Sequence, residues 1–435
     1  MTAGDAPEPG RAPPSASTKT VLGRWGSLAA VGSGNVGVLL FGVVSGVISA
    51  RFLGPSLRGE FVAAQTWAGT AAVLLTLGVT QAIVTYRGED GELVGPIALQ
   101  CTCGMLFGIL MFVVLSGSEL TWLTPLGIVG GAALTAGGLL GSLSAGYAQR
   151  LGRMRGAFQS VRLIPQGLIV VVVVGLAVAG SRDPNQWVLG VGLSVLVPSV
   201  FLMIRLLGGS KAILHIARFR PNRALVLGAR GAFILVVGSQ LIYRFDSLLV
   251  AAYLPADKIA LYAVAVTAAG ACSSIGSAVG MLTFSRMRGV DNRAEQRAII
   301  RKGTLRALIV TASVAVPVAV VTPWAIELLY GSAFVPATGA TRVLVMASVP
   351  LSADYLLVHA LLSLFASRSA FHVQVLAATL TIGLLVPAIL TENLELIASV
   401  SVLVYSVSAS LLFLSVLRRT TEPPVRSQLT GLGEQ

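Results

Sequence analysis

The feature that most constrains this chain is a series of twelve apolar stretches between Trp25 and Leu417, separated by charged or turn-forming residues. A helix needs about 20 mostly apolar residues to cross the hydrocarbon core of a bilayer, and most of the stretches are that long. The chain is 55% apolar and only 11% charged, too few charges for a soluble globular protein. The sequence therefore predicts an all-α polytopic membrane protein with about twelve transmembrane helices.

The distribution of basic residues predicts the orientation of these helices. With both termini placed in the cytoplasm, 25 of the 31 Lys and Arg residues fall on inner segments and 5 on outer segments. The remaining one, Arg244, falls inside a span. Because positive charge collects on cytoplasmic loops of membrane proteins, the net charge of +13 indicates topology rather than nucleic-acid binding.

A weak internal repeat predicts two lobes of six helices each. Segment 50–61 aligns with 251–262, and each follows the first helix of a block of six. Parallel repeats of this kind are typical of transporters that work by alternating access. Residues 1–24 are predicted to form a disordered cytoplasmic tail and residues 25–207 the N-terminal lobe. Residues 208–223 are predicted to form a basic interfacial linker on anionic lipid, or a plain basic linker. Residues 224–417 are predicted to form the C-terminal lobe and residues 418–435 a cytoplasmic tail.

Three charged residues lie deep inside predicted spans: Arg244, Asp246 and Asp354. Such a charge costs about 2.5–3.5 kcal/mol on insertion scales, so it normally faces the bundle interior or a cavity. A fixed guanidinium holds phosphate oxygens well, so Arg244 is a candidate substrate ligand, with Gln240 one turn earlier on the same face. Asp246 and Asp354 are candidates for binding a coupling cation, H⁺ or Na⁺, since burial disfavours a bare carboxylate charge. The alternative is an ion-pair network between the lobes that only sets their register.

Two further residues complete the candidate substrate site. Asn35 is one of several polar residues within spans that could line a sugar-binding cavity, although interhelical hydrogen bonding is the commoner role. Arg51 is a candidate ligand at the outer end of the first helix, but snorkelling to the interface is the favoured interpretation for Arg51 and Arg58. The few cysteines and histidines are too scattered for a metal cluster, and the sequence predicts no cofactor and no enzyme activity.

Three segments carry a family resemblance. Residues 50–61 read ARFLGPSLRGEF, residues 244–262 begin RFDSLL and end LY, and residues 327–334 read ELLYGSAF. They resemble the ARxLGPxxxGxF/Y, RxD…GxY and LLYGxxF segments of polysaccharide flippases, which transport lipid-linked oligosaccharides of the O-antigen and teichuronic-acid type. That family lies within the multidrug/oligosaccharidyl-lipid/polysaccharide superfamily. One departure is Ala260, where the second pattern usually has Gly.

The resemblance implies a MATE-like fold and a function. An undecaprenyl-type pyrophosphate-linked oligosaccharide would be flipped to the outer leaflet of a bacterial cytoplasmic membrane, for lipopolysaccharide or another surface polysaccharide. The implied partners are this lipid-linked glycan and the polymerase or glycosyltransferases of its pathway. A multidrug or organic-cation exporter of the same fold is the first alternative, and it would have a cavity lined by acids. A lipid II flippase, a membrane polysaccharide polymerase and a non-transporting scaffold are the others.

Overall fold

The protein is described by a computed structural model over residues 18–86, 91–118, 120–153, 156–207, 229, 233, 242–287, 290, 292–363 and 367–421. Its regular elements within these ranges are α-helices and one 3-10 helix, with no strand. The first half contains α1 (Thr18–Leu74), α2 (Val79–Thr85), α3 (Gly91–Ser116), α4 (Pro125–Arg150), α5 (Ala157–Val178) and α6 (Pro184–Leu206). The second half contains α7 (242–253), α8 (Ala256–Met287), α9 (Arg293–Tyr330), the 3-10 helix Ser332–Ala337, α10 (Thr338–Ser363), α11 (Ser367–Leu390) and α12 (Leu394–Thr421).

Helix α1 is two membrane helices joined by a bend at Gly54. The backbone there has φ 72° and ψ 177°, a left-handed conformation that side chains other than glycine rarely adopt. Pro55 follows in the first turn of the second half, where its fixed φ and missing N–H suit a helix start. The two halves of α1 correspond to the first two predicted spans, α3 to α6 and α8 to α12 correspond to nine others, and α7 is the described end of the seventh.

The predicted all-α membrane fold with about twelve helices is confirmed. Nine stretches of the described residues are long and apolar enough to cross a membrane, and the bent stretch Val36–Leu74 counts once among them. Exposed leucine, valine and phenylalanine side chains cover the outside of α3, α5 and α9, as a lipid-facing surface requires.

The predicted domain boundaries can be compared with the structure at three places. Helix α1 begins at Thr18, inside the segment 1–24 that the sequence assigns to a tail. The linker 208–223 lies outside the described residues, and α12 continues to Thr421, past the predicted lobe end at 417. Helices of each half pack mainly on one another, and α1 makes the main contact between the halves, against α8. The division into lobes and the cytoplasmic placement of both termini stay predictions.

Small residues bring α4 and α6 together at backbone distance. A Cβ on Gly130 would lie 2.5 Å from the backbone nitrogen of Leu189, and one on Gly137 would lie 2.6 Å from that of Leu196. Small residues two turns apart on one face let membrane helices approach this closely. The contact fixes α6, and with it the N-terminal wall of the cavity described below.

We expect Gly130→Ala to destabilise the protein, because the added methyl has no room between two backbones. Overpacking of this kind costs about 1–3 kcal/mol. The apparent melting temperature of the detergent-solubilised protein measures the effect. Gly175→Ala on α5 is the control, since a Cβ there meets open space. Equal melting temperatures for the two variants would contradict the close approach of α4 and α6.

Candidate functional site: an arginine-lined cavity and two buried carboxylates

A cavity of about 780 Å³ lies between the two halves of the chain. Helices α1, α4, α5 and α6 line it from the N-terminal half, and α7 and α8 line it from the C-terminal half. This volume lies in the range of about 300–1,000 Å³ that small-molecule sites occupy. Because both halves contribute walls, any relative movement of the two halves changes the shape of the cavity.

The charges on the cavity wall are all positive in the described part of the chain. Arg58, Arg162 and Arg244 line the cavity, and no Asp or Glu is among the described lining residues. Serine, threonine and glutamine side chains supply most of the other polar groups. A cleft with one sign of charge and low-dielectric walls concentrates ions of the opposite sign. The cavity is therefore suited to an anionic ligand with many hydrogen-bonding groups.

Arg244 lies on α7, and its side chain is exposed to the cavity rather than packed within the protein. The sequence predicts that this deep charge faces a cavity, and its position agrees with that expectation. Gln240, its predicted neighbour, lies outside the described residues. Asn35 lies in α1, but its side chain is outside the described part.

Arg51 is positioned by the end of α9 rather than by the cavity. Its Nε donates to the carbonyl oxygen of Leu329 at 2.7 Å, and its Nη2 donates to that of Leu328. These carbonyls belong to the last turn of α9, where a cation is favoured by the helix dipole. The side chain of Arg51 is exposed and is not among the cavity-lining residues. The structure therefore does not bring it to Arg244.

Arg58 is the cavity residue that the sequence did not select. Its side chain is only 2% exposed, and its guanidinium lies 5.3 Å from the ring centre of Tyr330 and 5.2 Å from that of Phe334. Such cation–π contacts favour a desolvated guanidinium. Its Nε and Nη1 have no hydrogen-bond partner among the described residues. Arg58 does not snorkel, because the bend at Gly54 turns the chain back before this residue.

The three segments of the family resemblance converge at one place, which we call the outer seam and define as residues 50–61, 254–262 and 326–337. Ala50, Ala260, Tyr330 and Phe334 share one buried apolar cluster there. A Cβ on Gly59 would lie 1.6 Å from the carbonyl oxygen of Ala256, so the backbones of α1 and α8 touch. At the outer seam the two halves are in contact, at the end of the cavity that the charge distribution predicts to face outward.

Asp354 is fully buried in the C-terminal half and is surrounded by hydroxyl groups. Its carboxylate accepts hydrogen bonds from the Tyr243 hydroxyl at 2.5 Å and from the Ser408 hydroxyl at 2.5 Å. These donors lie on α7 and α12. In the part of the chain that the structure describes, no Lys or Arg pairs with Asp354.

Asp246 is 5% exposed and has a similar environment. It accepts from the Tyr262 hydroxyl at 2.7 Å, from the Ser401 hydroxyl at 3.4 Å and from the backbone N–H of Ser247 at 2.6 Å. No basic partner is found for it among the described residues. Within this part of the chain, the two carboxylates therefore do not form an ion-pair network that sets the register of the lobes.

A cluster of tyrosines joins the two carboxylates to each other and to the cavity. The ring centre of Tyr243 lies 4.6 Å from that of Tyr355 and 6.3 Å from that of Tyr405. Tyr262, which donates to Asp246, also lines the cavity. A change in the protonation or cation occupancy of Asp246 would thus be felt at the cavity wall through a single hydrogen bond. No group of three His, Cys, Asp or Glu side chains that could hold a metal is found among the described residues.

The chain has the fold of membrane transporters of the MOP superfamily. An inward-facing multidrug-resistance MATE transporter of that superfamily matches with a TM-score of 0.65 and 14% identity, over 88% of this chain and 94% of that chain. The lipid II flippase MurJ, in an inward closed conformation, matches with a TM-score of 0.66 and 14% identity, over 88% of this chain and 87% of that chain. No protein-family model and no curated protein matches the sequence. The MATE-like architecture is thereby confirmed, while the likeness at this identity concerns the fold.

A third similar structure is a MOP superfamily transporter from Pyrococcus furiosus. It matches with a TM-score of 0.56 and 13% identity, over 91% of this chain and 95% of that chain. A binding pocket of reverse polarity suggests a different function for that protein. Transporters of this one fold therefore differ in the charge of their pockets, so the cavity of each chain has to be judged on its own residues.

We expect Gly59→Val to hold the outer seam open, because the new side chain would overlap the backbone of Ala256. A cysteine at cavity residue Ile259, in a variant without the three native cysteines, reports the opening. Its labelling by a membrane-impermeant maleimide from outside the cell should rise at least about tenfold. Gly175→Val on α5 is the control, since a Cβ there has open space and Gly175 does not line the cavity. No rise above this control would contradict the outer seam as the closed end.

Proposed function

We propose that this protein is a secondary transporter of a bacterial cytoplasmic membrane that flips an undecaprenyl-type pyrophosphate-linked oligosaccharide to the outer leaflet for surface polysaccharide synthesis. The observation that carries the proposal is the cavity with Arg58, Arg162 and Arg244 and no carboxylate among its described lining residues. A pyrophosphate carries negative charge and many acceptor oxygens, and arginine binds such groups through paired, charge-assisted hydrogen bonds. The hydroxyl and amide groups of the cavity would bind the sugars.

An organic-cation exporter of the same fold is disfavoured by the same observation. A positively charged substrate would meet three guanidinium groups in a low-dielectric cavity, where repulsion between like charges is strong. Lipid II also carries a pyrophosphate, so the charge of the cavity supports either lipid-linked glycan. The family resemblance of the three outer-seam segments favours the polysaccharide precursor, and the experiment below separates the two.

The closed outer seam fits one half of an alternating-access cycle. The substrate head group would enter the cavity from the inner leaflet and contact Arg244. Opening of the outer seam would then require Arg51 to leave the carbonyls of Leu328 and Leu329 and Arg58 to leave the rings of Tyr330 and Phe334. Arg58, whose Nε and Nη1 lack partners among the described residues, could bind phosphate oxygens as it is released.

Asp246 and Asp354 would couple this cycle to H⁺ or Na⁺. Both carboxylates lack a basic partner in the described part, and hydroxyl groups can rotate to serve either a bare or an occupied carboxylate. Tyr262 would transmit the change to the cavity, since it contacts Asp246 and lines the cavity wall. The protein would also meet the polymerase and glycosyltransferases that handle the same glycan, and its basic inner segments would contact anionic lipid.

The function is tested first in cells and then with the purified protein. A deletion strain should accumulate lipid-linked glycan in the inner leaflet and lose one surface polymer, and wild-type protein should restore both. Arg244→Ala should lower flipping of that glycan in proteoliposomes by about 10- to 100-fold, because a hydrogen bond to a charged group is worth about 1.5–3 kcal/mol. Arg182→Ala, which removes an exposed arginine of an outer segment, should flip at the normal rate.

Two results would overturn this assignment. Full flipping by Arg244→Ala at normal expression would remove the role of the cavity cations. Accumulation of lipid II with arrest of growth, instead of loss of a surface polymer, would assign the chain to the lipid II flippases.

Coupling is tested by Asp246→Asn and Asp354→Asn, which keep the shape of the side chain but remove its titration. We expect both variants to bind the glycan normally but to lose the dependence of flipping on an imposed H⁺ or Na⁺ gradient. Asp257→Asn is the control, because Asp257 is an exposed carboxylate at the start of α8. Gradient-dependent flipping by both buried-site variants, at the wild-type rate, would show that the carboxylates are structural.

A further inference from the structure

A second cavity of about 380 Å³ lies against α1, α8, α9 and α10, and we call it the outer groove. Val264 and Ile326 form part of its buried floor, while Val321 and Leu329 are exposed at its rim. The neighbouring surface of α9 carries other exposed apolar side chains, including Val320 and Leu328. The rim of the outer groove therefore faces the lipid.

The described lining of the outer groove offers almost no polar group to a ligand. Its threonines are Thr267, Thr322 and Thr341, and each donates its hydroxyl at 2.7 Å to a carbonyl of its own helix or of the turn just before it. Their hydroxyl protons are therefore already donated within the protein. Tyr330 is the other polar lining residue, and its ring contacts Arg58. Such a surface favours a hydrocarbon chain over a head group.

In the predicted orientation, the outer groove lies in the outer half of the bilayer. Val264 is eight residues from the start of α8, and Thr322 is eight residues from the end of α9, each about 12 Å along its helix at about 1.5 Å per residue. Half of the hydrocarbon core is about 15 Å thick. The groove thus begins beneath the outer seam and reaches towards the bilayer midplane.

The outer groove adjoins the arginine-lined cavity along the contact between α1 and α8. Thr267 lines both compartments, and on α1 Gly42 lines the cavity while Val43 lines the groove. A molecule with an anionic head and an apolar chain could occupy both compartments at once.

We propose that the outer groove binds the hydrocarbon tail of the lipid-linked substrate while its pyrophosphate occupies the cavity, an inference that rests on the proposed function. The groove gives the tail a protein site in the outer half of the membrane, next to the seam through which the head group leaves. The apolar lining and the position beside the arginine-lined cavity match part of the hydrocarbon chain of a polyisoprenoid diphosphate. An ordinary phospholipid tail is the competing occupant.

Binding to the purified, detergent-solubilised full chain tests this inference, with undecaprenyl diphosphate and inorganic pyrophosphate as probes. Ala325→Trp places a large ring in the groove and should weaken binding of undecaprenyl diphosphate at least about tenfold, with pyrophosphate binding unchanged. If Ala325→Trp folds poorly, Ala268→Phe on the opposite wall replaces it, and the same weakening of binding is expected. Val320→Trp is the matched control, because Val320 is exposed to lipid on the same helix and does not line the groove.

Each outcome decides between the possibilities. If the groove variants and Val320→Trp all bind undecaprenyl diphosphate as the wild type does, the tail site is wrong and the proposed function stands. Displacement of undecaprenyl diphosphate by excess phosphatidylglycerol would also overturn it, since the groove would then hold bulk lipid. If the wild type binds neither probe, the proposed function fails and the tail site fails with it. Loss of pyrophosphate binding in Arg244→Ala, but not in the groove variants, confirms that head and tail sites are separate.

Discussion

A charged group inside the hydrocarbon core cannot be hydrated by lipid, so it must be solvated by the protein or by a water-filled cavity. The deep charges of this chain meet that requirement in two different ways. Arg58 and Arg244 face the cavity, and Arg58 is further supported by two aromatic rings. Asp246 and Asp354 are instead enclosed by tyrosine and serine hydroxyls. Cations line the space between the halves, and these two carboxylates lie within one half.

This separation matters for the proposed transport of an anionic substrate. If Asp246 or Asp354 were paired with Arg244, the arginine would be neutralised just where an anionic ligand needs it. Hydroxyl donors stabilise a carboxylate without carrying charge, so they leave the field of the cavity positive. Tyr262 is the exception to the separation, because it contacts Asp246 and the cavity together.

The number of helices and the identity of the deep charges could be predicted from the sequence, since both follow from apolar stretch length and from the cost of burying a charge. The role of Arg58 could not. Arg51 and Arg58 read alike as interfacial arginines, and only the folded chain shows that both reach the end of α9 and that Arg58 also lines the cavity. Nor could the partners of Asp246 and Asp354 be predicted, because their hydroxyl donors lie in part on helices distant in sequence. The resemblance segments pointed to a family, but their meeting at one seam is a property of the folded chain.

Tyr330 links two compartments of opposite character. Its ring contacts the Arg58 guanidinium, and Tyr330 also forms part of the wall of the outer groove. Coupling between two binding sites is reciprocal: if one ligand changes the affinity for the other by some factor, the second ligand changes the affinity for the first by the same factor. An apolar molecule that fits the groove better when Arg58 has left the ring would therefore ease the parting of the two halves by the same factor. If the outer seam opens as proposed, the composition of the surrounding membrane acts on how readily it does so.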